Sequence, residues 1–163
     1  MSKKQRNQTI IFVVIALVSG ALLTGFTLYQ SAPGAMMMED VSPYDFEETT
    51  ERFKAEVEAA GWSVVGMHDM QEILDGHGFE VNQIEIYELC SSEYSAVILQ
   101  EDDERIVSPL MPCRISIYEK SDGNTYISRM NSKLMARPFG GIINEVMQQA
   151  ADETEDILDR VLE

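Results

Sequence analysis

The chain has 163 residues, of which 45% are hydrophobic, so it is long enough for a packed core and too apolar to be disordered throughout. Its 28 acidic and 12 basic side chains give a net charge of −16, which repels phosphate backbones and argues against nucleic-acid binding. Two cysteines and two histidines leave no surplus of ligands for an all-Cys/His zinc finger.

The first 30 residues differ from the rest. Residues 1–8 form a basic tail, and residues 9–29 are apolar and uncharged. A helix of about 20 residues crosses a bilayer. Basic residues before such a span predict a cytoplasmic N-terminus and a single-pass protein of the cell membrane. A cleaved signal peptide is the alternative, although its apolar region is usually shorter, about 7–15 residues.

The chain beyond residue 30 is strongly acidic. It holds all 28 acidic side chains and 9 of the basic ones, a balance of −19. Residues 30–43 contain two prolines, a glycine and no regular period, which predicts a linker before an exported domain at residues 44–163. Three adjacent methionines in this linker, Met36 to Met38, suit Cu(I), but such a run is more often a flexible apolar segment.

The first half of the domain alternates helices and strands. Asp45 and Glu48 are spaced as a capping box, and apolar residues at helical spacing follow as far as Gly61. Runs rich in β-branched residues predict strands at 62–70 and 81–90, with a short helix between them. A further helix should follow the second strand, with Ser91 or Ser92 as its cap.

The second half contains the clearest hairpin signal. Two β-rich runs between residues 113 and 130 flank Asp122-Gly123, which favours a tight turn. A broad apolar stripe after Gly140-Gly141 predicts a long final helix. We therefore expect an α+β fold, an antiparallel sheet of about four strands with helices packed on one face, preceded by one N-terminal transmembrane helix.

Four segments resemble the domain of unknown function 302 family. They are "FEETTERFKAEVEAAGWSVV", "YELCSSEYSAVIL", "SPLMPCRISIYEKSDGNTYISRMN" and "FGGIINEVMQQAADETEDIL", which together span roughly residues 44–162. The resemblance implies an α+β build and implies that Cys90 and Cys113 occupy positions that the family uses. It implies no activity. The added membrane anchor departs from the simplest members, so an intracellular role does not carry over.

Cys90 and Cys113 are the main candidate site residues. Cys113 follows Pro112 at the start of a predicted strand, and strand alternation points Arg114 to the opposite face. Cys113 is therefore a small core residue, half of a disulfide with Cys90, or part of a shared metal, haem or redox site. If the two strands run antiparallel, both cysteines lie at the same end of the sheet.

A second candidate cluster combines His68 with Met67 and Met70. Imidazole and thioether ligands suit copper or a haem axial pair. A hydrogen-bonded histidine at a strand end is the more common alternative, and the sequence identifies no cofactor.

We expect a binding module whose domain takes a small ligand, a metal or a partner at the Cys/Met-lined end of the sheet. One alternative is a thiol redox protein that uses Cys90 and Cys113. Another is a structural domain that self-associates as a homo-oligomer. The membrane, reached through the N-terminal helix, is the one partner that the sequence indicates directly, and the ligand is unknown.

Overall fold

The computed structural model describes residues 3–163, so the start of the predicted basic tail lies outside the described residues. Helix α1 (Lys3–Met36) forms most of a first compact unit. Its segment Asn7–Met36 is long and apolar enough to cross a membrane, a property that N-terminal signal sequences share. A second compact unit, Met36–Glu163, contains every other element and is called the α+β domain below.

The α+β domain is built on one antiparallel sheet of five strands in the order β1-β5-β4-β3-β2. The strands are β1 (Met37–Val41), β2 (Ser63–Asp69), β3 (Ile84–Cys90), β4 (Cys113–Glu119) and β5 (Thr125–Met130). The helices are α2 (Phe46–Ala59), α3 (Met70–Asp75), α4 (Ser92–Leu99), a 3-10 helix (Glu104–Leu110), α5 (Ser132–Ala136) and α6 (Gly141–Leu162). The predicted α+β class and antiparallel sheet are confirmed.

Local chemistry sets several element boundaries as the sequence predicts. The Asp45 carboxylate accepts a hydrogen bond from the backbone N–H of Glu48 at 2.9 Å and caps α2. Gly61 follows that helix with φ of 77°, a conformation that glycine adopts without a Cβ clash. Gly123, with φ of 81°, closes the β4–β5 hairpin.

The predicted linker at residues 30–43 is wrong. Its first part continues α1, and Met37–Val41 form strand β1, which pairs with β5 from Met37 opposite Met130 to Val41 opposite Tyr126. The sheet therefore has five strands rather than about four. "MMEDV" carries no alternating hydrophobic pattern that would predict a strand. β1 is an edge strand, and its hydrogen bonds to β5 order it instead.

The core lies between one face of the sheet and helices α2 and α6. Side chains at alternate strand positions point into it, and Phe53 and Ile157 of the two helices are fully buried against them. The inward strand residues include Tyr87, Leu89, Ile115, Ile117 and Ile127, each at most 1% exposed. This packing fixes the strand ends, and therefore fixes the positions of the cysteines.

The β4–β5 turn and the adjacent end of the sheet are called the hairpin end. The rings of Tyr118 and Tyr126 stack with centroids 6.0 Å apart, and the Lys120 Nζ lies 3.8 Å from the Tyr126 centroid. The same ammonium lies 2.7 Å from a carboxylate oxygen of Glu39 in β1. The Tyr126 hydroxyl donates to Asp122 at 2.7 Å. Glu39, Lys120 and Asp122 therefore each have a side-chain partner on a neighbouring strand or within the turn.

Candidate functional site

Cys90 and Cys113 lie at one end of the sheet, called the cysteine end below. Cys90 is the last residue of β3 and Cys113 the first of β4, and Leu89 is the antiparallel partner of Cys113. The antiparallel pairing predicted for these strands is confirmed. Across the other edge of β3, Cys90 faces Ser63 at the start of β2. Both thiols are free and half-buried.

The two thiols have different surroundings. The Cys90 Sγ lies 3.3 Å from the Oγ of Ser95 in α4, within hydrogen-bond reach. Cys113 packs against the main core. Burial raises the pKa of the Cys113 thiol above its ordinary value of 9.0, and repulsion from the nearby Cys90 raises it further. Cys113 is therefore a neutral thiol at physiological pH, not an activated thiolate.

A small cavity of about 40 Å³ opens beside the two cysteines and is called the smaller cavity. Both cysteines line it, together with Met111 and Met147. The rest of its wall is aromatic, aliphatic and hydroxyl-bearing, and includes Trp62, Leu89, Tyr94 and Ser95. The smaller cavity therefore combines four sulfur atoms with a wall that carries no formal charge among the described residues.

A second cavity of about 170 Å³, the larger cavity, also borders Cys113. Cys113 and Ala151 line both cavities. The apolar part of its wall includes Met38, Ile115 and Met130. The polar part is formed by Arg114, Arg129, Asn131, Ser132, Lys133, Thr154 and Glu155.

Arg129 is the most buried charged residue in the wall of the larger cavity, with 7% exposure. Its guanidinium pairs with Asp40 of β1 and with Glu155 of α6, and the Nε donates to Glu155 at 3.0 Å. Burial acts to lower the pKa of Arg129, but the hydrogen bonds that its guanidinium donates to the two carboxylates raise it overall. Arg129 is therefore a fixed cation that joins β1, β5 and α6.

Of the remaining sequence candidates, Arg114 borders the larger cavity, and His68, Met67 and Met70 line neither cavity. Arg114 is exposed, as strand alternation predicts, and its guanidinium contacts the Glu88 carboxylate at 2.8 Å. The His68 Nε2 lies 3.6 Å from the same carboxylate. His68 is five residues along β2 from Ser63, the partner of Cys90, which corresponds to roughly 16 Å of strand.

Met67 and Met70 share that distant part of the chain. Met67 is exposed at 48%, and Met70 begins α3. Strand alternation turns Met67 away from the face that carries His68. The structure therefore does not join the His68 cluster to the cysteines, and the described residues contain no group of three or more His, Cys, Asp or Glu side chains arranged for a metal.

The sequence interpretation missed Arg129, Met111 and Met147. Arg129 lies two residues after Ile127 and four after Thr125, both of which point into the core. Because side chains in a strand alternate between its two faces, this spacing predicts that Arg129 points inward as well. Met111 lies two residues before Cys113, but nothing local indicates that Met147 of α6 reaches the same cavity. That contact depends on tertiary packing.

Comparisons with known proteins agree with this architecture. The model of the family described as Domain of unknown function DUF302 matches residues 38–163. The crystal structure of the uncharacterized conserved protein DUF302 from Bacillus stearothermophilus has a similar fold, with a TM-score of 0.69 at 20% identity. The match covers 77% of this chain and 98% of that one. No curated protein matches the chain. The family match includes most of β1 and nearly the whole α+β domain, and the chain therefore belongs to the DUF302 family.

Proposed function

We propose that the α+β domain is a binding module that holds a small ligand in the larger cavity at the cysteine end. One observation carries the proposal: a buried guanidinium, fixed by two carboxylates, forms part of the wall of an otherwise largely apolar cavity. Apolar walls with a few fixed polar groups are typical of ligand sites, because the apolar part supplies affinity and the polar groups set orientation.

The volume of the larger cavity limits the ligand. An engineered protein cavity of about 150 Å³ binds benzene, and most sites for drug-sized ligands exceed about 300 Å³. The larger cavity, at about 170 Å³, therefore suits a molecule of benzene size that carries one hydrogen-bonding group. Larger ligands would have to leave part of their surface in solvent.

Benzene, phenol and benzoate test this proposal as probes. The full chain in neutral detergent should bind at least one of them, seen as saturation-transfer signals in ligand-observed NMR. Thr154 is buried and lines only the larger cavity, so Thr154→Met should fill it and abolish the signals. Gln149→Met adds a similar side chain at an exposed position of α6 and should leave them unchanged. Absence of any signal, or equal signals in Thr154→Met, would contradict the proposal.

A thiol redox role is the second candidate. Two free cysteines at the same end of the sheet, lining one cavity, favour it. The raised pKa of Cys113 opposes it, because the thiolate is the form that attacks a disulfide. Counting thiols in protein purified without reductant separates the two functions. Quantitative oxidation of both cysteines would support the redox role, and two free thiols would support the binding module.

For the location of the protein, we propose a single-pass membrane protein with a cytoplasmic N-terminus. The support is the apolar segment Asn7–Met36 together with the basic residues near its start. Protease added to the outside of intact cells should digest the α+β domain and leave a membrane-bound fragment. Release of the intact domain as a soluble, N-terminally shortened protein would instead show a cleaved signal sequence.

A further inference from the structure

The smaller cavity gathers sulfur from distant parts of the chain. Cys90 ends β3, Met111 precedes β4, Cys113 begins β4, and Met147 lies in α6. Both cysteines of the chain and two of its ten methionines therefore line one space. The described wall residues carry no carboxylate and no imidazole.

This composition selects among metals. Hard cations such as Mg²⁺ and Ca²⁺ require oxygen ligands, mainly carboxylates and carbonyls. Structural zinc sites use four Cys or His ligands, and the smaller cavity offers two. Thiolate and thioether sulfur are soft ligands that select Cu(I). A volume of about 40 Å³ exceeds the roughly 10–15 Å³ that a cavity needs to hold one water molecule, so it has room for a single ion stripped of its hydration shell.

We propose that the smaller cavity binds one Cu(I) ion, with Cys90 and Cys113 as thiolate ligands and Met111 and Met147 as thioether ligands. This site goes beyond the proposed small-ligand site, because three of its four ligands line the smaller cavity and not the larger one. Of the four ligands, only Cys113 borders both cavities.

Binding conserves charge and electrons. Two S–H bonds break, two Cu–thiolate and two Cu–thioether bonds form, and two protons leave to solvent, while copper stays Cu(I) and no sulfur is oxidised. The site then carries a net charge of −1. The Ser95 hydroxyl, 3.3 Å from the Cys90 Sγ, can donate a hydrogen bond to that thiolate. Trp62 and Leu89, which are nearly fully buried, restrict the access of water to the ion.

The test titrates the full chain in neutral detergent with Cu(I), under anaerobic conditions with ascorbate and with bicinchoninate as the competing chelator. We expect one tightly held Cu(I) per chain and only sulfur neighbours in the copper X-ray absorption spectrum. Cys90→Ser combined with Cys113→Ser should abolish tight binding. Met147→Leu nearly conserves volume and should weaken Cu(I) affinity at least about tenfold. Even the replacement of residues that only hydrogen-bond to metal ligands lowers metal affinity about 10- to 100-fold.

Matched controls separate this site from other methionines. Met67→Leu, at an exposed position on β2, and a combined Met36→Leu and Met37→Leu variant should bind Cu(I) as the unchanged protein does. Thr154→Met, which fills only the larger cavity, should also bind normally, so failure of the small-ligand proposal leaves this one intact. Retention of copper by the double cysteine variant would overturn the proposal.

Folding is checked independently of metal binding. The fluorescence of Trp62, the one tryptophan of the chain, reports whether each variant keeps its buried environment. If the double cysteine variant does not fold, the decision rests on Met111→Leu combined with Met147→Leu. A folded double methionine variant with unchanged Cu(I) affinity would overturn the four-sulfur site, and weakened binding would support it.

Discussion

The two ends of the sheet differ in the contacts of their polar side chains and in how closely their side chains pack. At the hairpin end, Lys120 lies between a carboxylate and a tyrosine ring, and the turn carboxylate of Asp122 accepts a tyrosine hydroxyl. At the cysteine end, two cavities meet at Cys113 and both thiols are free. Protein interiors are normally close-packed, so the space beside sulfur and a buried cation is the feature that supports the two binding sites proposed for this end.

Replacing Arg129 should produce the largest change. Arg129→Met leaves Asp40 and Glu155 without their shared cation, and we expect a loss of about 2–3 kcal/mol of unfolding free energy, less than for a fully buried pair because both carboxylates are partly exposed. Urea unfolding followed by Trp62 fluorescence measures it. Arg137→Met, at an exposed position, should change stability by less than about 0.5 kcal/mol. Equal effects of the two changes would contradict the structural role of Arg129.

Added volume should distinguish filled from open space. Ala136 is fully buried and lines neither cavity, so Ala136→Leu should cost about 1–3 kcal/mol through overpacking. Ala151 borders both cavities, so Ala151→Leu should cost less than about 1 kcal/mol, because the new atoms enter open space. The same urea experiment compares them. A larger loss for Ala151→Leu would show that the cysteine end is as tightly packed as the rest.

Lys120→Met should have a smaller effect, and that effect should depend on pH. Hydrogen bonds from Lys120 and Tyr118 lower the pKa of Glu39 below its ordinary value of 4.5. A lowered folded-state pKa gives stability that is present above pH 4.5 and is lost as the pH falls through the folded value. Lys120→Met should flatten this decline in acid denaturation curves. If stability declines with falling pH as steeply in Lys120→Met as in the unchanged protein, the Lys120–Glu39 pair contributes nothing to stability in solution.

The smallest expected effect concerns the titration of the Cys113 thiol. Its raised pKa means that the neutral thiol stabilises the fold below pH 9.0, and that this contribution is lost as the pH rises through the folded value. Iodoacetamide alkylation, read by mass spectrometry of the Cys113 peptide, should have its midpoint above pH 9.0. Cys90→Ser should lower the midpoint only slightly, since burial is the larger cause. A midpoint at or below 9.0 would contradict the burial of Cys113.

Much of the fold follows from local chemistry that the sequence displays. Asp45 caps α2, Gly61 follows its end, and Asp122-Gly123 forms the hairpin turn, because each position requires a particular side chain or backbone conformation. The order of elements favours antiparallel pairing of β3 and β4, which places Cys90 and Cys113 at one end of the sheet, but a helix between two strands is also typical of parallel pairing. These features depend on residues close to one another in sequence.

The rest depends on contacts between distant residues. β1 lacks a hydrophobic alternation, since its order comes from pairing with β5. The inward position of Arg129 is readable from strand phase, but its two carboxylate partners come from β1 and α6. The smaller cavity lies where α6 meets the ends of β3 and β4, and the larger one lies where α6 meets β1, β4 and β5. A single sequence does not show how closely those surfaces pack.

The position of β1 has a consequence for the order of folding. Its partner β5 is about 90 residues later in the chain, whereas β4 and β5 are joined by a short turn. Closing the long loop costs more conformational entropy than closing the hairpin. Because a chain is synthesised from its N-terminus, β1 is made early and cannot pair until β5 has been synthesised. Until then Asp40 and Glu39 lack the cations they contact in the finished fold, and β1 is an unpaired strand. Pairing of β1 with β5 would therefore be a late step in forming the sheet. The rate of that step would determine how long an unpaired strand edge can pair with other chains.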